Sequence, residues 1–120
     1  MEFDLSKRHC FFFNETCKIP HGSYNEKALS DYIVDFAKSH NLAYKQDDMY
    51  NVIIYKKASK GYEGADALIL QAHIDMVCEK NKDSDHDFLK DPLKLYVEDD
   101  AYLAEQALKE QIEEEKSKTR

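Results

Sequence analysis

The sequence predicts a small α/β domain in which two helices precede a set of short strands. Three observations carry that prediction. Apolar residues recur at helical spacing up to about residue 40, the period then changes to short β-branched and aromatic runs, and 120 residues suffice for one compact core.

The first helix is expected between Ser6 and Lys18, where Cys10, Phe11, Phe13 and Cys17 recur at roughly helical spacing. Ile19-Pro20 ends it, because a residue before proline is pushed out of the α region. A second helix, from about Asn25 to His40, follows Ser23 and Glu26 at capping-box spacing, with Leu29, Ile33, Phe36 and Ala37 on one face. Asn41 is its expected stop. AYKQDD and NVIIYKK read as strands. ALILQAH, residues 67–73, is apolar without alternation, the pattern of a strand buried on both faces.

ASKGYEGAD between the last two, and EKNKDSDHDFLKDP over residues 79–92, are expected to be surface loops. LKLYVEDDAYL resumes alternation with Asp99-Asp100 as a tight turn. YLAEQALKEQIEEEKSKTR has the apolar spacing and Glu-before-Lys pattern of an exposed helix. The chain thus divides into an α/β region over 1–100 and a charged C-terminal helix over 101–120.

A net charge of -7 disfavours nucleic-acid binding, which demands a concentrated basic face. Lys56, Lys57 and Lys60 fit a solvated turn. No apolar run approaches the ~20 residues of a membrane span, and Glu2 and Asp4 break the order of a secretory signal. The three cysteines cannot all pair internally, so free thiols and a cytoplasmic setting are expected.

Chemistry concentrates at QAHIDMVCEK. In an extended chain His73 and Asp75 share a face. A carboxylate that accepts from one imidazole nitrogen fixes the tautomer and leaves the other nitrogen to bind metal. Taken alone, His-x-Asp is a weak pattern. His86 with Asp83, Asp85 and Asp87 reads as a hydrated loop, Cys78 has no partner at zinc-ligand spacing, and His9, His21 and His40 read as surface residues.

The phrases HIDMVCEK and HDFLKDPLKLY, with CKIPHGSYNEKALSDYIVDFAKSHNL upstream, resemble the N-terminal part of the aminoacyl-histidine dipeptidases, a branch of the dinuclear-zinc metallopeptidases. The resemblance covers about residues 8 to 100. It implies a partial zinc-peptidase-like catalytic domain with a small mixed sheet, in which His73 is a zinc ligand and Asp75 its orienting partner. Ala72 stands where the family usually has glycine, and Tyr24 where a small residue is common.

The family also carries a glycine-rich segment with an aspartate bridging two zinc ions, then paired glutamates. Residues 101–120 contain no glycine, and Glu113, Glu114 and Glu115 fit a solvated helix face. A hydrolytic zinc centre needs about three protein ligands. The expectation is therefore a noncatalytic remnant with vestigial His73 and Asp75 and no tightly bound cofactor, turned to protein binding as an inhibitor or regulator. The alternative is a segment of a split or oligomeric zinc dipeptidase acting on Xaa-His dipeptides, its zinc held with ligands from another chain. Exposed apolar surface is then expected to be covered by the charged C-terminal helix folding back, by self-association or by a protein partner.

Overall fold

The computed structural model describes residues 4–98 and 101–104. Helix α1 spans Arg8–Cys17 and α2 spans Lys27–Ser39. Strands β1 (Ala43–Gln46) and β2 (Val52–Tyr55) form one antiparallel hairpin, and β3 (Leu95–Glu98) with β4 (Ala101–Ala104) a second. The α/β class is as the sequence predicts. No helix among the described residues is long and apolar enough to cross a membrane.

Helix α1 turns Cys10 and Cys17 inward, at 2% and 5% exposure, and burial pushes the Cys17 thiol pKa up. Phe12 meets α2, edge-to-face on Phe36 with ring centroids 5.4 Å apart. Helix α2 buries Leu29, Ser30, Val34 and Ala37. The buried Ser30 hydroxyl donates to the Tyr50 carbonyl at 2.8 Å and accepts from Gln46 Nε2 at 2.8 Å, tying the helix to the hairpin.

Asn41 stops α2 as expected. Its φ of 54° is left-handed; its N–H donates to Lys38 O at 3.1 Å, and that of Leu42 to Ala37 O at 2.9 Å. These two bonds are the Schellman pair that satisfies the last helical carbonyls. The turn between β1 and β2 is built on Asp47, whose carboxylate accepts from the N–H groups of Met49 and Asn51 and from Asn51 Nδ2 at 2.8–2.9 Å.

Three expectations are corrected. Residues 67–73 form no strand: Leu68, Ile69 and Leu70 are 83%, 88% and 88% exposed, and an apolar run becomes a strand only when other strands pair with it. The small mixed sheet is instead two separate antiparallel pairs, and the parallel pairing among the described residues is one bridge, Gly22 to Met76. The helix placed over 101–120 does not begin at its first residues, because Ala101–Ala104 pairs with β3 as β4. The Asp99-Asp100 turn and the rest of that helix, 105–120, lie outside the described residues.

The Ser23–Glu26 capping box also does not form. Glu26 itself is the N-cap without a side-chain bond, and its Oε1 accepts from the Tyr24 N–H at 2.7 Å. Asn25 N donates to Gly22 O at 2.8 Å, closing a β-turn with Tyr24 third and at φ 68°. A positive φ at that position favours glycine or asparagine, which accounts for a small residue being common there in the family the sequence resembles.

Acid should weaken the first hairpin through Asp47. Hydrogen bonds from the Asn51 side chain first, and then from backbone N–H groups, hold its pKa below the usual 3.8. Its contribution to stability is present above that value and is lost as pH falls through the lower folded pKa. Denaturant titrations from pH 6 downward should show a smaller loss in Asp47→Asn than in the parent chain, below about pH 4.

Candidate functional site

The site is assembled by two loops. Met76 N donates to His21 O at 3.0 Å and Ser23 N to Met76 O at 3.1 Å, so residues 21–23 lie beside the segment carrying His73 and Asp75. Gly22 permits that approach: a Cβ there would collide with Cys78 Sγ.

This pairing brings Ser23 to Asp75 across 52 positions of sequence, with its Oγ donating to Asp75 Oδ2 at 2.7 Å. The other carboxylate oxygen, Oδ1, lies 3.0 Å from His73 Nδ1, and the Asp75 carbonyl lies 2.9 Å from the same nitrogen. An Nδ1–H therefore donates to Asp75, and Nε2 is left as the lone-pair nitrogen. Hydrogen bonds from Ser23 first, then from His73, hold the Asp75 carboxyl below the ordinary carboxylate pKa. The His73 side chain is 82% exposed, so Nε2 is open to an incoming ion.

His73 and Asp75 border an open groove of about 410 Å³, lined also by Glu26, Ile33, Tyr50, Asn51 and Gln71. Helix α2 and the start of β2 thus form the wall facing the histidine. As a zinc donor the geometry fits: tautomer fixed by a carboxylate, the second nitrogen exposed. It supplies one donor of about three. Among the described residues no group of three or more His, Cys, Asp or Glu side chains converges on a point that could hold a metal ion.

The remaining candidates separate. His86 is not in a hydrated position: it is 4% exposed, packs edge-to-face on Phe88 with centroids 4.8 Å apart, and its Nε2 has no partner among the described residues. Asp87 closes the neighbouring turn, accepting from Leu89 N at 2.9 Å. Cys78 is exposed. His9 and His40 are exposed as expected, whereas His21 is half-buried with Nδ1 2.6 Å from Ile19 O. Ser23 is the site residue that sequence reasoning missed. Its one signal, three residues before Glu26, pointed to the helix instead.

No family model matches the chain. It is 44% identical over 86 residues, 72% of its length, to the cytosol non-specific dipeptidase of Escherichia coli (strain K12), of which it covers 18%. The crystal structure of aminoacylhistidine dipeptidase from Vibrio alginolyticus matches with a TM-score of 0.77 at 42% identity, over 81% of this chain and 20% of that one. The chain spans about a fifth of the length of these relatives.

Two substitutions test the assembly. Gly22→Ala should destabilise the chain by about 1 kcal/mol, and Cys78→Ala in the same molecule should restore most of it, because the added methyl meets Cys78 Sγ; chemical denaturation of the four variants of the cycle measures the coupling. Ser23→Ala should raise the Asp75 pKa toward 3.8 and mix the His73 tautomers, read from carboxyl ¹³C and imidazole ¹⁵N shifts. Unchanged shifts would mean that Ser23 does not position the pair.

Proposed function

Because the chain is homologous to one segment of the cytosol non-specific and aminoacylhistidine dipeptidases, we propose that it supplies part of a zinc dipeptidase centre acting on Xaa-His dipeptides. His73 is a metal ligand through Nε2, and Asp75 orients it. The observation that supports this is the engaged Nδ1, 3.0 Å from Asp75 Oδ1, beside an exposed ring face. A deprotonated Nε2 held at a fixed angle is what a divalent ion requires of an imidazole.

The other ligands, and the group that takes a proton from the attacking water, come from residues outside those described, in the same or another polypeptide. Zinc at such a centre supplies the Lewis acidity for peptide hydrolysis. The groove beside His73, with Glu26, Asn51 and Gln71 on its walls, offers polar groups to a bound dipeptide. A cytoplasmic setting agrees with the name of the Escherichia coli relative.

A second reading is a noncatalytic remnant serving as a protein-binding inhibitor or regulator. The readings part on turnover.

Zinc titration and hydrolysis of a Xaa-His dipeptide decide between them. The chain alone should bind zinc weakly and turn nothing over. Supplied with the remaining segments of a related dipeptidase it should gain turnover, which His73→Ala abolishes and Asp75→Asn lowers about 10–100-fold. Zinc-independent association with no turnover would favour the remnant, and turnover that survives His73→Ala would overturn the assignment of the ligand.

A further inference from the structure

Tyr50 breaks a local rule on the wall of the groove. It is the last residue of the loop between β1 and β2, which Asp47 N closes by donating to Asn51 O at 3.0 Å. The Tyr50 N–H donates to Asp47 O at 3.1 Å, and its φ is 65°. A three-residue hairpin loop of this kind ordinarily places glycine at its left-handed position, and a bulky side chain there is strained. The surroundings hold that strain in place, because the fully buried Ser30 hydroxyl donates to the Tyr50 carbonyl at 2.8 Å. Tyr24 shares the conformation at φ 68° but is fully exposed, whereas Tyr50 is half-buried and lines the groove that His73 borders. Strain enforced by neighbouring contacts, at the wall of a groove large enough for a small ligand, marks a side chain with a role beyond the loop.

We propose that Tyr50 is a substrate-specificity residue, whose ring is the face on which the imidazole of a Xaa-His dipeptide stacks in the groove beside His73. The inference rests on the dipeptidase reading above and deepens it by naming the residue that selects the histidine side chain. The groove, about 410 Å³, admits a dipeptide, and its other walls are of two kinds. Glu26, Asn51 and Gln71 offer hydrogen-bonding groups, while Ile33, Met49 and Val52 offer apolar contact. Apolar walls separate side chains of similar size only weakly. An aromatic face does better, because offset stacking favours a flat ring and a protonated imidazole adds cation–π attraction. Glycine at position 50 would suit the loop better and leave the groove without that face. The chain carries the strained residue that the loop does not need.

The test titrates the zinc-free full chain with alanyl-histidine and, separately, with alanyl-leucine, reading amide ¹H–¹⁵N shifts, and measures chemical denaturation alongside. Alanyl-histidine should shift the amide signals of Tyr50, Asn51 and His73 and bind about 10-fold more tightly than alanyl-leucine. Tyr50→Gly should erase that preference while its denaturation midpoint stays at or above that of the parent, since relief of the left-handed strain offsets the lost side chain. Tyr50→Phe should keep the preference, because the ring face carries it. Equal affinity for the two dipeptides, no shift at Tyr50, or a preference that survives Tyr50→Gly would each overturn the proposal. A midpoint that falls in Tyr50→Gly would also overturn it, by making the ring a packing group. With the remaining segments of a related dipeptidase supplied, turnover that His73→Ala abolishes, at a KM for alanyl-histidine that Tyr50→Gly leaves unchanged, keeps the dipeptidase reading and rejects Tyr50. A Tyr50-dependent preference in a chain that never gains turnover does the reverse.

Discussion

Two backbone hydrogen bonds, Met76 N to His21 O and Ser23 N to Met76 O, hold the candidate site together. They join the turn ahead of α2 to the segment that carries His73 and Asp75, and they do so at a glycine that leaves room for Cys78 Sγ. Each such bond contributes only about 1 kcal/mol to stability. Their importance is geometric, because they set the distance from Ser23 to Asp75 and through it the tautomer and aim of His73.

The hydrogen-bonded series from Ser23 through Asp75 to His73 leaves one imidazole nitrogen exposed. The serine hydroxyl and the imidazole N–H both donate to the same carboxylate, so the charged form of Asp75 is favoured and remains a strong acceptor. Around it the molecule is uneven in its completeness. Helix α2 and the first hairpin pack together, with Ser30 and Gln46 hydrogen-bonded to one another, while Leu68, Ile69 and Leu70 just before His73 are exposed among the described residues.

Local signals were the most legible. Asn41 marked the helix end because the left-handed conformation suits a short polar side chain. The Asp47 to Asn51 loop reads in the sequence as the end of a strand, and the structure shows it as a turn because the Asp47 carboxylate accepts from nearby N–H groups. The reading of Ser23 failed as well. Its spacing to Glu26 was correct for a cap, but the chain turns over 22–25 and Glu26 takes the N-cap position, so Ser23 lies ahead of the helix and its hydroxyl donates to a carboxylate 52 positions away. His86 misled similarly: three acidic neighbours suggested hydration, and contact with Phe88 buried it.

By itself the sequence determined the helices, the short strands and the pairing of His73 with Asp75, because these depend on periodicity, turn chemistry and residues no more than a few positions apart. Tertiary structure alone decided that Ser23 bonds Asp75, that a Cβ on Gly22 would meet Cys78 Sγ, and that ALILQAH is not paired as a strand among the described residues. The physical reason is that a pattern states what a segment would bury or bond, whereas only the assembled neighbours determine whether that demand is met.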